Sequence, residues 1–146
     1  MKSIYVIKAI GGRKVSFHPK GEEIGTVEIT LSSEADKDPL FKDMPSSIPV
    51  HVTHAQSAIM IPQGATILAS NDFEPYHAIR IGTSAWGVQF HPEYNTDIMK
   101  AYILNQADDV KASGRNIDEI MMTVKETAHA SSIMKRFTQA CKQDNF

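Results

Sequence analysis

Trp86–Glu93 reads WGVQFHPE, and the rest of the chain can be read outward from it. Residues 86–90 are mostly apolar and β-prone, and Pro92 can donate nothing to a ladder, so the stretch predicts a strand, Trp86 to Phe90, that stops at His91. Alternate residues of a strand share a face and lie roughly 6–7 Å apart. That alternation turns Gln89, His91 and Glu93 one way and Val88 and Phe90 the other. A carboxylate beside an imidazole fixes its tautomer and stabilises the imidazolium that forms when it takes a proton, which is work done for a nucleophile. Strand ends are also where α/β sheets place ligands. A purely structural His–Glu bond at a strand end has the same spacing.

Upstream, short β-rich runs alternate with turns. Ser3–Ile10 predicts a short helix or strand stopped by Gly11-Gly12. Val15 and Phe17 mark a strand, His18–Gly21 a turn, and Ile24, Val27, Ile29 and Leu31 a longer β run. Ser32–Pro39 reads as a polar loop, and Asp38–Phe41 as a turn that sends Leu40 and Phe41 inward. Strands follow at Ile48–Thr53, Ala65–Ser70 and Tyr76–Ile81, separated by turns at Pro62–Gly64 and Asn71–Pro75. Downstream the period changes. Thr96 is placed to cap a helix running to about Lys111. Ser113–Arg115 breaks it. Asn116 and Glu119 resemble a capping box for a second helix through Val124, and Ile133, Met134, Phe137 and Ala140 continue at helical spacing after a break near Thr127. The fold class is therefore α/β, a β-rich N-terminal two-thirds followed by C-terminal helices.

The chain has 146 residues, enough for one domain with its own core. A net charge of -2 with no basic block argues against a nucleic-acid footprint. The apolar run Ile4–Ile7 is too short for a signal core or a membrane span, and the single cysteine fits a reducing compartment, so the expected location is the cytoplasm. No phosphate loop or glycine-rich nucleotide fingerprint is present, and no cofactor is expected.

WGVQFHPE closely resembles the motif that closes the class I (triad-type) glutamine amidotransferase domain. Three further stretches match in order: Ala9-Ile10-Gly11-Gly12 with HPKGEEIGTVEITLS (His18–Ser32), THAQSAIMIPQGATILASND (Thr53–Asp72), and the HAIRIG strand that begins at His77. ETAHASSIMKRFTQ (Glu126–Gln139) is similar to the closing helix of free-standing, GMP synthetase-like members. The resemblance implies a flavodoxin-like, mostly parallel sheet covered by helices on both faces, of which this chain carries the C-terminal part. It also implies a Cys–His–Glu triad that hydrolyses glutamine to glutamate and ammonia for an acceptor, with His91 as general base and Glu93 as its orienting partner. His54 matches a histidine near the glutamine site and is a candidate for substrate binding.

The nucleophile elbow of the family, Gly-x-Cys-x-Gly-x-Gln, would fall at or before the first residue, so residues 1–146 are expected to form a partial domain that begins after it. Cys141 is a poor substitute, because a helix C-terminus disfavours a thiolate. Without a nucleophile no thioester forms, and the chain is expected to be inactive by itself. The alternatives are a non-catalytic oligomerisation or docking module and the product of a truncated or split gene. Strands left unpaired by the missing half imply a homo-oligomer, or a separate N-terminal chain, as cover. His51 and His54 fall on opposite faces of a strand and make a poor metal pair; His18, His77 and His129 stand isolated, as structural or exposed residues, and no metal spacing is evident.

Overall fold

The computed structural model describes residues 3–6 and 14–143, so the predicted Gly11-Gly12 stop lies outside the described residues. The strands are β1 Ser3–Val6, β2 Lys14–Phe17, β3 Glu23–Leu31, β4 Ser47–His54, β5 Gln56–Met60, β6 Thr66–Ser70, β7 Ala78–Ile81 and β8 Ala85–Val88. The helices are α1 Thr96–Asn105, α2 Ala107–Ala112, α3 Ile117–Thr123 and α4 Ala128–Gln143. Six strands form one sheet in the order β1-β8-β7-β6-β3-β4, while β2 and β5 pair as a separate ribbon.

The α/β expectation holds, but the strand pairing departs from a mostly parallel sheet. Of the described pairs only β1–β8 is parallel, and β3–β4, β3–β6, β6–β7 and β7–β8 are antiparallel. The connections explain this. The β7–β8 link is only Gly82–Ser84, too short for a parallel crossover, which needs a dozen residues or more.

Both faces of the sheet are covered. Val50, Val52, Ile29, Trp86 and Phe90 pack with Ala130 and Ile133 of α4. Ile24 packs on the other face with Met99, Ile103, Val110 and Ile120 of α1, α2 and α3. Leu40 and Phe41 are buried as the turn after Asp38 predicts. The Ser32–Pro39 loop instead contains a 3-10 turn, Ser33–Lys37, and the predicted single helix from Thr96 to Lys111 divides at Gln106. There the Gln106 side chain is drawn to β4, donating to Thr53 Oγ1 at 3.1 Å. The cap of α1 is Asn95 rather than Thr96, its side chain accepting from the Ile98 N–H at 2.8 Å.

Gly25 in β3 sets how closely α3 approaches the sheet. Its φ is +113°, and a Cβ there would lie 2.7 Å from Thr123 Oγ1. That hydroxyl is committed, accepting from the Thr26 N–H and donating to the Ile120 carbonyl. Gly25→Ala is therefore expected to destabilise the fold by about 1–3 kcal/mol, measured as a lower urea midpoint at unchanged slope.

Candidate functional site

His91 and Glu93 lie just beyond β8, and their pairing is closed by a turn. β8 ends at Val88, short of the predicted Phe90, and the Tyr94 N–H bonds back to the His91 carbonyl at 3.3 Å. Pro92 occupies the second position of this turn, where its fixed φ suits it. The turn brings His91 Nδ1 to 2.8 Å from Glu93 Oε1. Gln89 does not share their face, which corrects the alternation expected of a strand. It is buried, accepts from the Ala58 N–H through Oε1 and donates to the Tyr76 carbonyl through Nε2. Its role is to tie the approach to the turn onto β5 and the segment before β7.

The backbone anchors the imidazole. The His91 N–H donates to the His51 carbonyl at 2.8 Å, and the Gln89 N–H to the His77 carbonyl at 2.9 Å. Tyr94 stacks on the His91 ring with centroids 4.1 Å apart, and Tyr102 of α1 stacks on Tyr94 at 5.0 Å. Burial, together with the hydrogen bond and charge of Tyr102 and the charge of Glu93, pushes the Tyr94 phenol above its ordinary range, so it stays neutral. A proton on Nδ1 shared with Glu93 would leave the Nε2 lone pair unused. Nε2 has no hydrogen-bond partner among the described residues. Glu93 is 55% exposed, so the pair orients the ring and adds little to stability.

Cys141 sits in the last turn of α4, beside the depression lined by Pro39, Arg136 and Ala140. Among the described residues no hydrogen bond joins it to His91 or Glu93.

A second cluster forms where the sequence shows only scattered residues. Glu23 stands directly opposite His54 in the β3–β4 register, and His77 precedes β7. His54 Nε2 is 3.0 Å from Glu23 Oε1, and His77 Nε2 is 2.9 Å from the same oxygen. Glu23 Oε2 accepts from Asn71 Nδ2 at 2.8 Å. Burial alone would raise the Glu23 pKa, but the hydrogen bonds from His54 and Asn71 and the close approach and charge of His77 outweigh it and hold the carboxyl at about 2. For His54, burial works downward, but Glu23 and the Gln56 carbonyl prevail and raise it. The isolated reading of His77 is thus corrected: it is fully buried and part of a group. Residues 23, 54 and 77 are far apart in sequence, and only strand register unites them.

His51 faces away from His54, as strand alternation predicts, and lies 2.9 Å from Thr26 Oγ1. Burial pulls its pKa below the ordinary value, against the opposing charge of Glu126. The unfolded chain therefore takes up this proton first as pH falls, so the contribution of His51 is intact well above pH ~6.5 and is lost on acidification through the depressed folded value. His51→Asn should have a shallower loss of stability between pH 7.5 and 5 than the parent in urea unfolding. Equal slopes would remove His51 from the account, because the other histidines are common to both chains.

The glutamine amidotransferase class-I family profile matches residues 5–109. The chain is 31% identical over 120 residues to the glutamine-hydrolyzing GMP synthase of Bacillus velezensis, covering 77% of this chain and 23% of that protein. It is 26% identical over 140 residues to gamma-glutamyl peptidase 3 of Arabidopsis thaliana, covering 94% of this chain and 55% of that protein. Among solved structures, a glutamine amidotransferase from Thermotoga maritima superposes with a TM-score of 0.68 at 22% identity, over 87% of this chain and 54% of that one, which is a likeness of fold. With the profile covering well over half of its residues and the closing WGVQFHPE motif in place, the chain belongs to the glutamine amidotransferase class-I family.

Proposed function

We propose that these 146 residues supply the His–Glu part of a glutamine-hydrolysing site, His91 as general base and Glu93 as its orienting carboxylate, and that the nucleophile comes from polypeptide outside them. The observation that carries this reading is the 2.8 Å His91–Glu93 pair at the end of β8 with Nε2 left available. It is supported by the absence, among the described residues, of any hydrogen bond between that pair and Cys141, the one cysteine of the sequence. In such a site His91 Nε2 takes the thiol proton as sulfur attacks the glutamine amide carbon, then returns it to the leaving nitrogen, which departs as ammonia. His54, mostly buried beside Glu23, is the candidate for contacting the substrate.

Docking of a nucleophile-bearing segment is favoured by the β2–β5 ribbon, on which Phe17, Ile59 and Met60 are each exposed. No described helix is long and apolar enough to cross a membrane, and the single cysteine favours a reducing cytoplasmic setting.

The direct test is a glutaminase assay of the purified 146-residue chain, reading ammonia and glutamate together. No turnover above a His91→Ala control is expected. Turnover that His91→Ala abolishes and Cys141→Ser leaves intact would mean that water or another group serves as nucleophile. Turnover abolished by Cys141→Ser would place the nucleophile on α4. Either result overturns the proposal.

A further inference from the structure

We propose that Glu23, His54 and His77 form a binding site for a divalent transition-metal ion, with Zn²⁺ the best match to the donor set. The three side chains each offer one ligand atom, and these atoms all lie within 4.8 Å of one another. Two imidazoles and one carboxylate form a familiar three-ligand set for zinc, with the fourth position left open.

The surroundings of each ligand fit a cation better than they fit a closed hydrogen-bond network. His54 holds its other nitrogen, Nδ1, 3.2 Å from the Gln56 carbonyl. With an ion bound, donating the Nδ1 proton there leaves the Nε2 lone pair for the metal, which is how a backbone carbonyl orients a metal-binding histidine. Asn71 holds the second oxygen of Glu23, leaving Oε1 toward the histidines. His77 is the independent indicator. It is fully buried, and neither of its nitrogens makes a well-formed hydrogen bond. The 2.9 Å approach of its Nε2 to Glu23 Oε1 is off the hydrogen-bond line. A buried imidazole with neither nitrogen satisfied is costly, and an ion accepting the Nε2 lone pair removes the Nε2 share of that cost.

The dimensions are close to those required. The two nitrogens lie 2.9 and 3.0 Å from Glu23 Oε1. A tetrahedral ion with bonds of about 2.0–2.2 Å separates its ligands by roughly 3.3–3.5 Å. Rotamer shifts of a few tenths of an ångström open the cluster that far. Glu23 also lines a surface depression of about 340 Å³ with Lys20, Phe73 and Arg115, which provides a way in. The site does not depend on the role of His91 in glutamine chemistry, and neither His91 nor Glu93 belongs to it.

The test uses the full chain, stripped with EDTA and titrated with Zn²⁺ against a chromophoric chelator and with Co²⁺ by visible absorption. One ion per chain is expected, with cobalt bands of tetrahedral intensity and a rise in Tm of about 5–10 °C at a hundredfold excess over Kd. His77→Gln and Glu23→Gln should each weaken binding at least about 100-fold, while His129→Ala, on the exposed face of α4, should leave it unchanged. If a variant fails to fold, stoichiometry and the cobalt spectrum of the parent decide. No binding by the parent at 100 µM Zn²⁺, about 0.1 mM being loose for three converging ligands, or binding that survives both substitutions, overturns the proposal in favour of a proton held between the histidines and Glu23.

Discussion

Asp38→Ala is expected to cost about 3–5 kcal/mol of stability, a large part of the roughly 5–15 kcal/mol available to a domain of ordinary stability. Asp38 is fully buried. Its Oδ2 accepts from Trp86 Nε1 at 3.0 Å and from Arg80 Nη1 at 2.8 Å, and its Oδ1 accepts from the Leu40 N–H at 2.9 Å. One carboxylate thus joins the turn after the 3-10 segment to the two strands, β7 and β8, that lead to His91. Removal leaves a guanidinium and an indole N–H without their acceptor, and the loss of one partner from a buried pair costs far more than the pair contributes. Asp38→Asn keeps the shape and part of the hydrogen bonding and should cost less. Urea unfolding followed by tryptophan fluorescence measures both, since the reporter Trp86 is itself a partner. A loss under 1 kcal/mol for Asp38→Ala would show that the Arg80 and Trp86 contacts are dispensable.

The second large effect is kinetic. In an assembly in which a nucleophile-bearing polypeptide restores glutamine hydrolysis, His91→Ala should lower kcat about 10²–10⁴-fold, the usual contribution of a positioned general base. Glu93→Gln should lower it less. It removes the charge that stabilises the imidazolium, yet its amide oxygen can still accept from Nδ1. The rank order matters as much as the size. A structural His–Glu bond would lower stability and leave kcat nearly untouched, or would lower KM and kcat by no pattern tied to charge. A restored assembly insensitive to His91→Ala would end the case for His91 as base.

Much of this was legible before any coordinates. The turns around Pro62–Gly64 and Asn71–Pro75, the inward Leu40 and Phe41, the break at Ser113–Arg115 after α2 and the switch from strands to helices all follow from local chemistry. The His91–Glu93 contact was legible too, although by the wrong geometry. Two-residue spacing suggested a strand, whereas Pro92 makes a turn, and only the turn explains why Gln89 departs from the pair. The division of the first long helix was not legible, because it follows from a tertiary bond between Gln106 and Thr53. The Glu23–His54–His77 cluster was invisible for the same reason. His54 and His77 have no local spacing that signals a shared site, and β3–β4 register places Glu23 opposite His54. Asp38 looked like a turn residue. Its bonds to Arg80 and Trp86 span 42 and 48 positions, beyond any local pattern.

The column of rings formed by His91, Tyr94 and Tyr102 has a consequence for observation. An imidazole lying face to face with a phenol, with an interplanar angle of 10°, sits in the shielding region of that ring's magnetic current. Its carbon-bound protons should resonate upfield, alongside those of His18, which stacks on Phe73 with centroids 4.0 Å apart. The protonation state of His91 could then be followed by proton NMR in the intact protein, a His18→Ala spectrum separating the two shifted sets, while glutamine or a partner polypeptide is added.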